Sequence, residues 1–123
     1  MLILLAIAAG GATGALLRYG MSSGIASLWG SSFPYGTLLV NVTGSLFIGL
    51  FYAMYQDRMV SPETRALIQI GLLGAFTTFS TFSLETLKLL EQGEALRAGL
   101  NVILSVILCL VGTWAGLIIG RNA

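Results

Sequence analysis

Four long apolar stretches divide the chain, and short polar segments separate them. They run from about residue 2 to 21, 36 to 55, 65 to 90 and 99 to 120. Each has the roughly 20 mostly apolar residues that a helix needs to cross the hydrocarbon core of a bilayer. The pattern therefore predicts an all-α membrane protein, with four transmembrane helices forming one domain over residues 1–123.

The segments between the stretches have the composition of loops. Residues 22–35 contain Ser, Gly, Trp29 and Pro34 but no charge, and the aromatic residues suit a membrane interface. Ser61-Pro62 before the third stretch is typical of a helix start, with serine as N-cap and proline in the first turn. The only charge of the first stretch, Arg18, lies at its far end, which is the wrong order for a cleaved signal peptide.

Composition narrows the class of protein. The chain is 56% hydrophobic and 9% charged, whereas soluble domains carry about 25% charged residues. A net charge of +1 leaves no basic face for nucleic acid. There is no His and only one Cys, which excludes a disulfide within the chain and a zinc site built on His or Cys in one chain. We expect no enzyme, because the spans lack His and any carboxylate cluster for acid–base catalysis.

The basic residues are almost evenly divided between the two sides of the membrane. Three lie on the side of the termini and two or three on the other: Arg58, Arg65 and Arg121 against Lys88, Arg97 and the span-end Arg18. The side with more Lys and Arg normally faces the cytoplasm, and in this chain the two sides differ by at most one basic residue. Either the orientation is simply hard to predict, or the chain inserts both ways and forms a dual-topology antiparallel dimer. We favour the dimer, because four helices alone have little interior to enclose a polar path.

The second stretch carries a polar face. Thr37, Asn41, Ser45 and Gly49 recur every four residues, so they share one side of a helix. The Asn41 amide offers two hydrogen-bond donors. It could bond across to another helix and fix the packing, or it could line a polar path.

The fourth stretch has a similar polar stripe followed by small residues. The stripe consists of Asn101, Ser105, Cys109 and Thr113, and the small residues are Gly112, Gly116 and Gly120. Glycines at this spacing permit close helix contact, and packing is the interpretation we favour for them. The stripe itself could line a narrow path at a helix interface.

The third stretch is the most unusual. It contains GLLGAFTTFSTFS, with five hydroxyl residues in the seven positions 77–83, and it is about one turn too long. Gly and Thr are poor helix formers, and hydroxyls compete for backbone groups. We predict a break near Gly74–Phe79, whose free backbone groups could bind ions. The alternative is a kinked helix with its hydroxyls bonded to its own carbonyls.

Two phenylalanines and three charged residues lie around this break. Phe79 and Phe82 are three residues apart and share a helix face, and aromatic ring edges are electropositive. Together with amides and hydroxyls they would line a path for an anion without binding it too tightly for release. Arg18 could reach to the interface or lie in an anion-attracting vestibule. Glu85 and Lys88, three residues apart, could pair on the helix surface.

The run GLLGAFTTFSTFSLE resembles the signature of the Fluc (CrcB) family of fluoride channels. GGATGALLRY, which ends near Arg18, is similar to that family's first helix, and GTLLVNVTGSLFIG is similar to its second, with Asn41. The resemblance covers essentially the whole chain.

The resemblance implies a passive, fluoride-selective ion channel that exports fluoride down its gradient and lowers cytoplasmic fluoride toxicity. Family members are multi-pass proteins of the prokaryotic plasma (inner) membrane and assemble as dual-topology antiparallel homodimers with two pores. The implied partners are therefore fluoride, the lipid bilayer and a second copy of the chain, with no nucleic acid.

By match of motif, the resemblance also assigns roles to residues. Those implied for the pore and for fluoride are Phe79, Phe82, Asn41, Thr37, Thr81, Ser105, Asn101 and Cys109. Cys109 departs from the family's usual Tyr or Ser, and a thiol is a weak donor. The backbone carbonyls of Gly74 and Thr77 correspond to a structural Na⁺ site at the dimer centre. Arg18 and Glu85 are candidates for a vestibule or a gate.

The alternative function is a small multidrug or cation transporter, which is also a four-span, dual-topology dimer. Proton-coupled export needs a carboxylate inside the membrane. The first stretch has none, and Glu85 is the only candidate. A helper subunit, in which the polar residues serve only packing, is a further alternative.

Overall fold

The computed structural model describes residues 1–122. Within them, four helices are long and apolar enough to cross a membrane, and they span Leu2–Trp29, Tyr35–Tyr55, Pro62–Glu91 and Ala95–Arg121. The first two are α1 and α2, and the last is α6. The third consists of α3 (Pro62–Arg65), a π-helix (Ala66–Leu73), α4 (Gly74–Phe76) and α5 (Phe79–Glu91). The prediction of an all-helical, four-span membrane protein is confirmed.

Helix α1 continues well beyond the predicted end at residue 21, through most of the segment expected to be a loop. Ser22 and Ser27 donate their hydroxyls to the carbonyls of Arg18 and Gly24, both at 2.8 Å, so these polar residues are satisfied within the helix. The helix ends only at Gly30, whose φ of 80° suits glycine.

The third helix begins as predicted and is interrupted as predicted. The Ser61 hydroxyl accepts the Thr64 N–H at 3.1 Å, and Pro62 occupies the first turn. Thr77 and Thr78 have extended backbone between α4 and α5, inside the range predicted for the break. The π-helix before the break was not predicted.

Two pairs of helices pack closely through glycines. A Cβ built on Gly14 of α1 would overlap the Leu72 carbonyl oxygen of the π-helix, and one on Gly116 of α6 would overlap the Leu46 carbonyl oxygen of α2. Such close approach is how membrane helices gain van der Waals contact. The glycines of α6 therefore serve packing against α2, as the sequence favoured. Helix α5 is held less tightly, because it buries only Phe82 and Leu89.

Candidate functional site

The break between α4 and α5 is held by the side chain of Asn41 on α2. Its Oδ1 accepts the Thr78 N–H at 2.8 Å, and its Nδ2 donates to the Thr78 carbonyl at 3.0 Å. The amide thus satisfies both backbone groups of a residue with φ −149° and ψ 115°, which belongs to neither helix. Asn41 therefore fixes the packing across two helices, one of the two roles that the sequence left open.

The same bonds remove donors from two carbonyls at the break. In an α-helix, the N–H of Thr78 would bond the carbonyl of Gly74, and the N–H of Thr81 would bond that of Thr77. Instead, Asn41 takes the first N–H, and the Thr78 hydroxyl accepts the second at 3.1 Å as an N-cap. In the described chain, residues 1–122, the Gly74 and Thr77 carbonyls consequently have no hydrogen-bond donor.

Arg18 of α1 also contacts the break. Its Nε donates to the Ala75 carbonyl at 3.0 Å, and the side chain is partly buried. A cation at the carbonyl end of a helical segment is favourable, because free carbonyls carry partial negative charge there. Arg18 therefore ties α1 to the break and lines neither of the two cavities described next.

A central cavity of about 440 Å³ lies against the break. It brings together seven of the candidate site residues and Ser45 of the polar face on α2: Asn41, Ser45, Gly74, Thr77, Phe79, Phe82, Ser105 and Cys109. Thr78 and several aliphatic side chains complete its wall, and none of the described residues that line it is charged.

The two phenylalanines differ in their surroundings. Their ring centroids are 5.3 Å apart and the rings are inclined by 45°. Both line the cavity, but the Phe82 side chain is buried, at 9% exposure, whereas Phe79 is 76% exposed. One chain therefore supplies one enclosed ring and one ring that faces outward.

A second cavity, of about 410 Å³, lies further along α5 and is more polar. Thr37, Thr81, Glu85 and Lys88 line it together with Ser22. The Glu85 Oε1 atom is buried and has no hydrogen-bond partner among residues 1–122. The Glu85–Lys88 pair that the sequence allowed does not form among residues 1–122, because Glu85 is directed inward while Lys88 is exposed. The ion pair of the described chain joins Arg97 and Glu94, at 3.7 Å.

Asn101 lies apart from both cavities, although the sequence grouped it with Ser105 and Cys109. It is 1% exposed, and its Nδ2 donates to the Thr86 hydroxyl at 2.9 Å. Its Oδ1 accepts the Ser105 hydroxyl at 3.4 Å. Thr86 was missed in the sequence, and the one signal for it was its position four residues after Phe82.

Four membrane-length helices around an uncharged cavity at a broken helix define a multi-pass integral membrane protein. The family described as CrcB-like protein, Camphor Resistance (CrcB), matches residues 5–117. The chain belongs to this CrcB-like family, and the resemblance drawn from the motifs is confirmed.

Named relatives agree with this assignment. The chain is 56% identical over 110 residues to the fluoride-specific ion channel FluC of Shewanella amazonensis, covering 89% of each chain. It is 56% identical over 113 residues to FluC of Shewanella baltica, covering 92% of this chain and 91% of the relative. With FluC of Methylococcus capsulatus it shares 51% identity over 122 residues, which are 98% of this chain but 54% of that longer relative. These relatives are named as channels, and the prediction that the chain is not an enzyme is confirmed.

Proposed function

We propose that this chain is a passive fluoride-specific ion channel of a prokaryotic inner membrane, which exports fluoride and lowers cytoplasmic fluoride toxicity. Family membership and the names of its relatives support this function. The observation that carries it is the central cavity, whose described lining combines two phenylalanine rings, hydroxyls and an amide with no charged side chain. Such a lining can replace the water around a small anion and still release it.

The proposed fluoride path follows α5 through both cavities. Phe79 and Phe82 contribute ring edges in the central cavity, where Ser105 adds a hydroxyl and Cys109 a weak donor. Thr37 and Thr81 continue the path in the second cavity, which ends at Glu85. Helix α5 is common to both cavities, which supports a single continuous route.

We propose an antiparallel homodimer because one chain leaves the break uncovered. Phe79 is 76% exposed and Gly74 is also exposed, although its carbonyl lacks a donor in residues 1–122. Irregular backbone is tolerated at membrane depth only where protein covers it or water reaches it. A second copy of the chain is the cover that the even division of basic residues supports, and two copies would make two equivalent paths.

We also propose that the Gly74 and Thr77 carbonyls hold a structural Na⁺ at the dimer centre. Both oxygens have lost their helical donors to Asn41 and Thr78, and free carbonyls of broken membrane helices suit Na⁺. Two copies of the break would supply four such oxygens. The cation would neutralise their partial charges and hold the two breaks together.

Fluoride efflux from liposomes that contain the purified protein tests the proposal. We expect fluoride to leave passively, driven by its own gradient, with chloride retained and with no efflux from protein-free liposomes. Intact dimers that pass no fluoride would overturn the channel. Proton movement driven by a cationic drug would instead support the transporter, which would have to use Glu85 as its carboxylate.

A further inference from the structure

Thr86 connects the helix that carries the two phenylalanines to its neighbour. Its hydroxyl donates to the Phe82 carbonyl at 2.8 Å and accepts the Asn101 Nδ2 at 2.9 Å. Within residues 1–122, this is the one side-chain hydrogen bond that joins α5 to α6. The Thr86 hydroxyl, one helical turn after Phe82, therefore links Asn101 of α6 to the backbone of Phe82.

The α6 end of this connection is firmly held. Asn101 is 1% exposed, and its amide oxygen accepts the Ser105 hydroxyl, so both ends of the amide are engaged. Helix α6 packs against α2 so closely that a Cβ on Gly116 would overlap backbone. Asn101 thus presents its N–H from a pair of helices with little freedom to move.

The α5 end is held at few other points. Helix α5 buries only two side chains, Phe82 and Leu89. Its first turn is fixed through Thr78, which Asn41 binds from α2. With its start fixed, α5 can still rotate about its axis unless a second point holds it, and such a rotation would move Phe79 and Phe82 together because they share a face.

We propose that Thr86 is a positioning residue, which fixes the rotation of α5 through Asn101 and thereby sets where the Phe82 ring stands in the central cavity. The effect on fluoride flux rests on the proposed function, whereas the effect on the ring position does not. Asn101 acts in this scheme through Thr86, without lining the path itself.

The test places 4-fluorophenylalanine at position 82 and records ¹⁹F spectra of the full-length protein. Thr86→Val keeps the shape of the side chain but loses both bonds, and we expect a shifted or split resonance. Thr86→Ser restores the hydroxyl and should return the single wild-type resonance. Thr13→Val is the matched control, because the Thr13 hydroxyl makes the same bond to a carbonyl four residues earlier, at 2.8 Å, with no bond to another helix.

Fluoride efflux from liposomes gives the second readout. We expect Thr86→Val to lower the rate about fivefold, as the loss of an interhelical hydrogen bond permits, while Thr86→Ser and Thr13→Val stay near wild type. Asn101→Ser, too short to reach Thr86, breaks the same bond from α6 and should give the same spectrum. It also provides the test if Thr86→Val does not fold. The efflux of the double variant should be no lower than that of either single variant, because the bond between Thr86 and Asn101 is already lost in each of them.

An unchanged ¹⁹F resonance in Thr86→Val and Asn101→Ser would overturn the proposal. Additive effects in the double variant would also overturn it, because the two residues would then act separately. A changed resonance with wild-type efflux would support the positioning of the ring by Thr86 and overturn the expected effect of the ring position on conduction. If the wild-type protein passes no fluoride, the proposed function fails, and the spectra alone decide whether Thr86 positions the ring.

Discussion

At the scale of single residues, the break in the third helix depends on side chains that bind its backbone groups. Asn41 binds both backbone groups of Thr78, the Thr78 hydroxyl caps α5, and Arg18 binds the Ala75 carbonyl. Each replaces a bond that a continuous helix would have made within itself. Apart from the Thr78 cap, the bonds that stabilise the irregular backbone therefore come from α1 and α2, outside the helix that contains it.

Arg18 gives the first prediction at this scale. Arg18→Met keeps the long apolar stem but leaves the Ala75 carbonyl without its donor. We expect the free energy of unfolding in mixed micelles to fall by about 1.5–3 kcal/mol, the usual value for a hydrogen bond from a charged group. The control is Arg58→Met, since Arg58 is exposed in the loop before α3. Equal losses in the two variants would contradict a role for Arg18 at the break.

The two phenylalanines give the second prediction. Phe82→Ile and Phe79→Ile remove the electropositive ring edges and keep apolar bulk, so fluoride efflux should fall about tenfold, equivalent to about 1.4 kcal/mol in the barrier. The proposed dimer should remain intact. Phe47→Ile is the matched control, because Phe47 lies on α2, is half exposed and lines neither cavity of the proposed path. Wild-type efflux in both test variants would mean that the ring edges do not line the path.

At the scale of helices, the contact between α1 and the π-helix gives a prediction with a built-in control. A Cβ on Gly14 would overlap the Leu72 carbonyl and lie 3.1 Å from the Phe76 nitrogen, whereas one on Gly11 would meet nothing within 4 Å. Gly14→Ala should therefore lower stability by about 1–3 kcal/mol, as overpacking does. Gly11→Ala should raise it by about 0.5–1 kcal/mol through helix propensity. Denaturant titration of both variants measures the difference, and equal stabilities would contradict the close contact.

The helices also differ in how well the sequence predicts them. The break was predictable, because Gly74 and the dense hydroxyls of residues 77–83 both weaken a helix. The length of α1 was not, because Ser22 and Ser27 resemble loop residues until their hydroxyls are seen to bond their own helix. The π-helix has no compositional signal, since it differs from an α-helix only in which carbonyl each N–H selects.

The candidate site was also predicted only in part. Helical spacing placed Asn41 and Ser105 on the correct faces, and both line the central cavity. Spacing on one helix says nothing of which neighbour it meets, so the separate second cavity with Thr37 and Glu85 was not foreseen. Thr86 belongs to no polar stripe, and only its contact with Asn101 reveals it.

At the scale of the whole molecule, the distribution of basic residues predicts insertion in both orientations. An even number of spans puts both termini on one side with Arg58, Arg65 and Arg121, against Lys88 and Arg97 on the other. With so small a bias, neither orientation is selected. A labelling tag at the C-terminus should therefore react from both sides of the membrane, in comparable amounts.

Substitutions that place the basic residues mainly on one side of the membrane test whether their even division is needed for assembly. Apart from Arg18, Lys88→Gln with Arg97→Gln leaves basic residues only on the terminal side, so the C-terminal tag should become accessible from the cytoplasm alone. Stability should change little, because Lys88 is exposed and the Arg97–Glu94 pair is a surface ion pair. Antiparallel pairing needs copies in both orientations. Fluoride efflux should therefore fall as fewer copies insert with their termini on the outer side of the membrane. It should recover when the variant is co-expressed with a copy biased the opposite way, by Arg58→Gln and Arg65→Gln. One-sided labelling of the wild-type protein, or full efflux from a one-sided variant, would rule out an antiparallel dimer as the conducting unit.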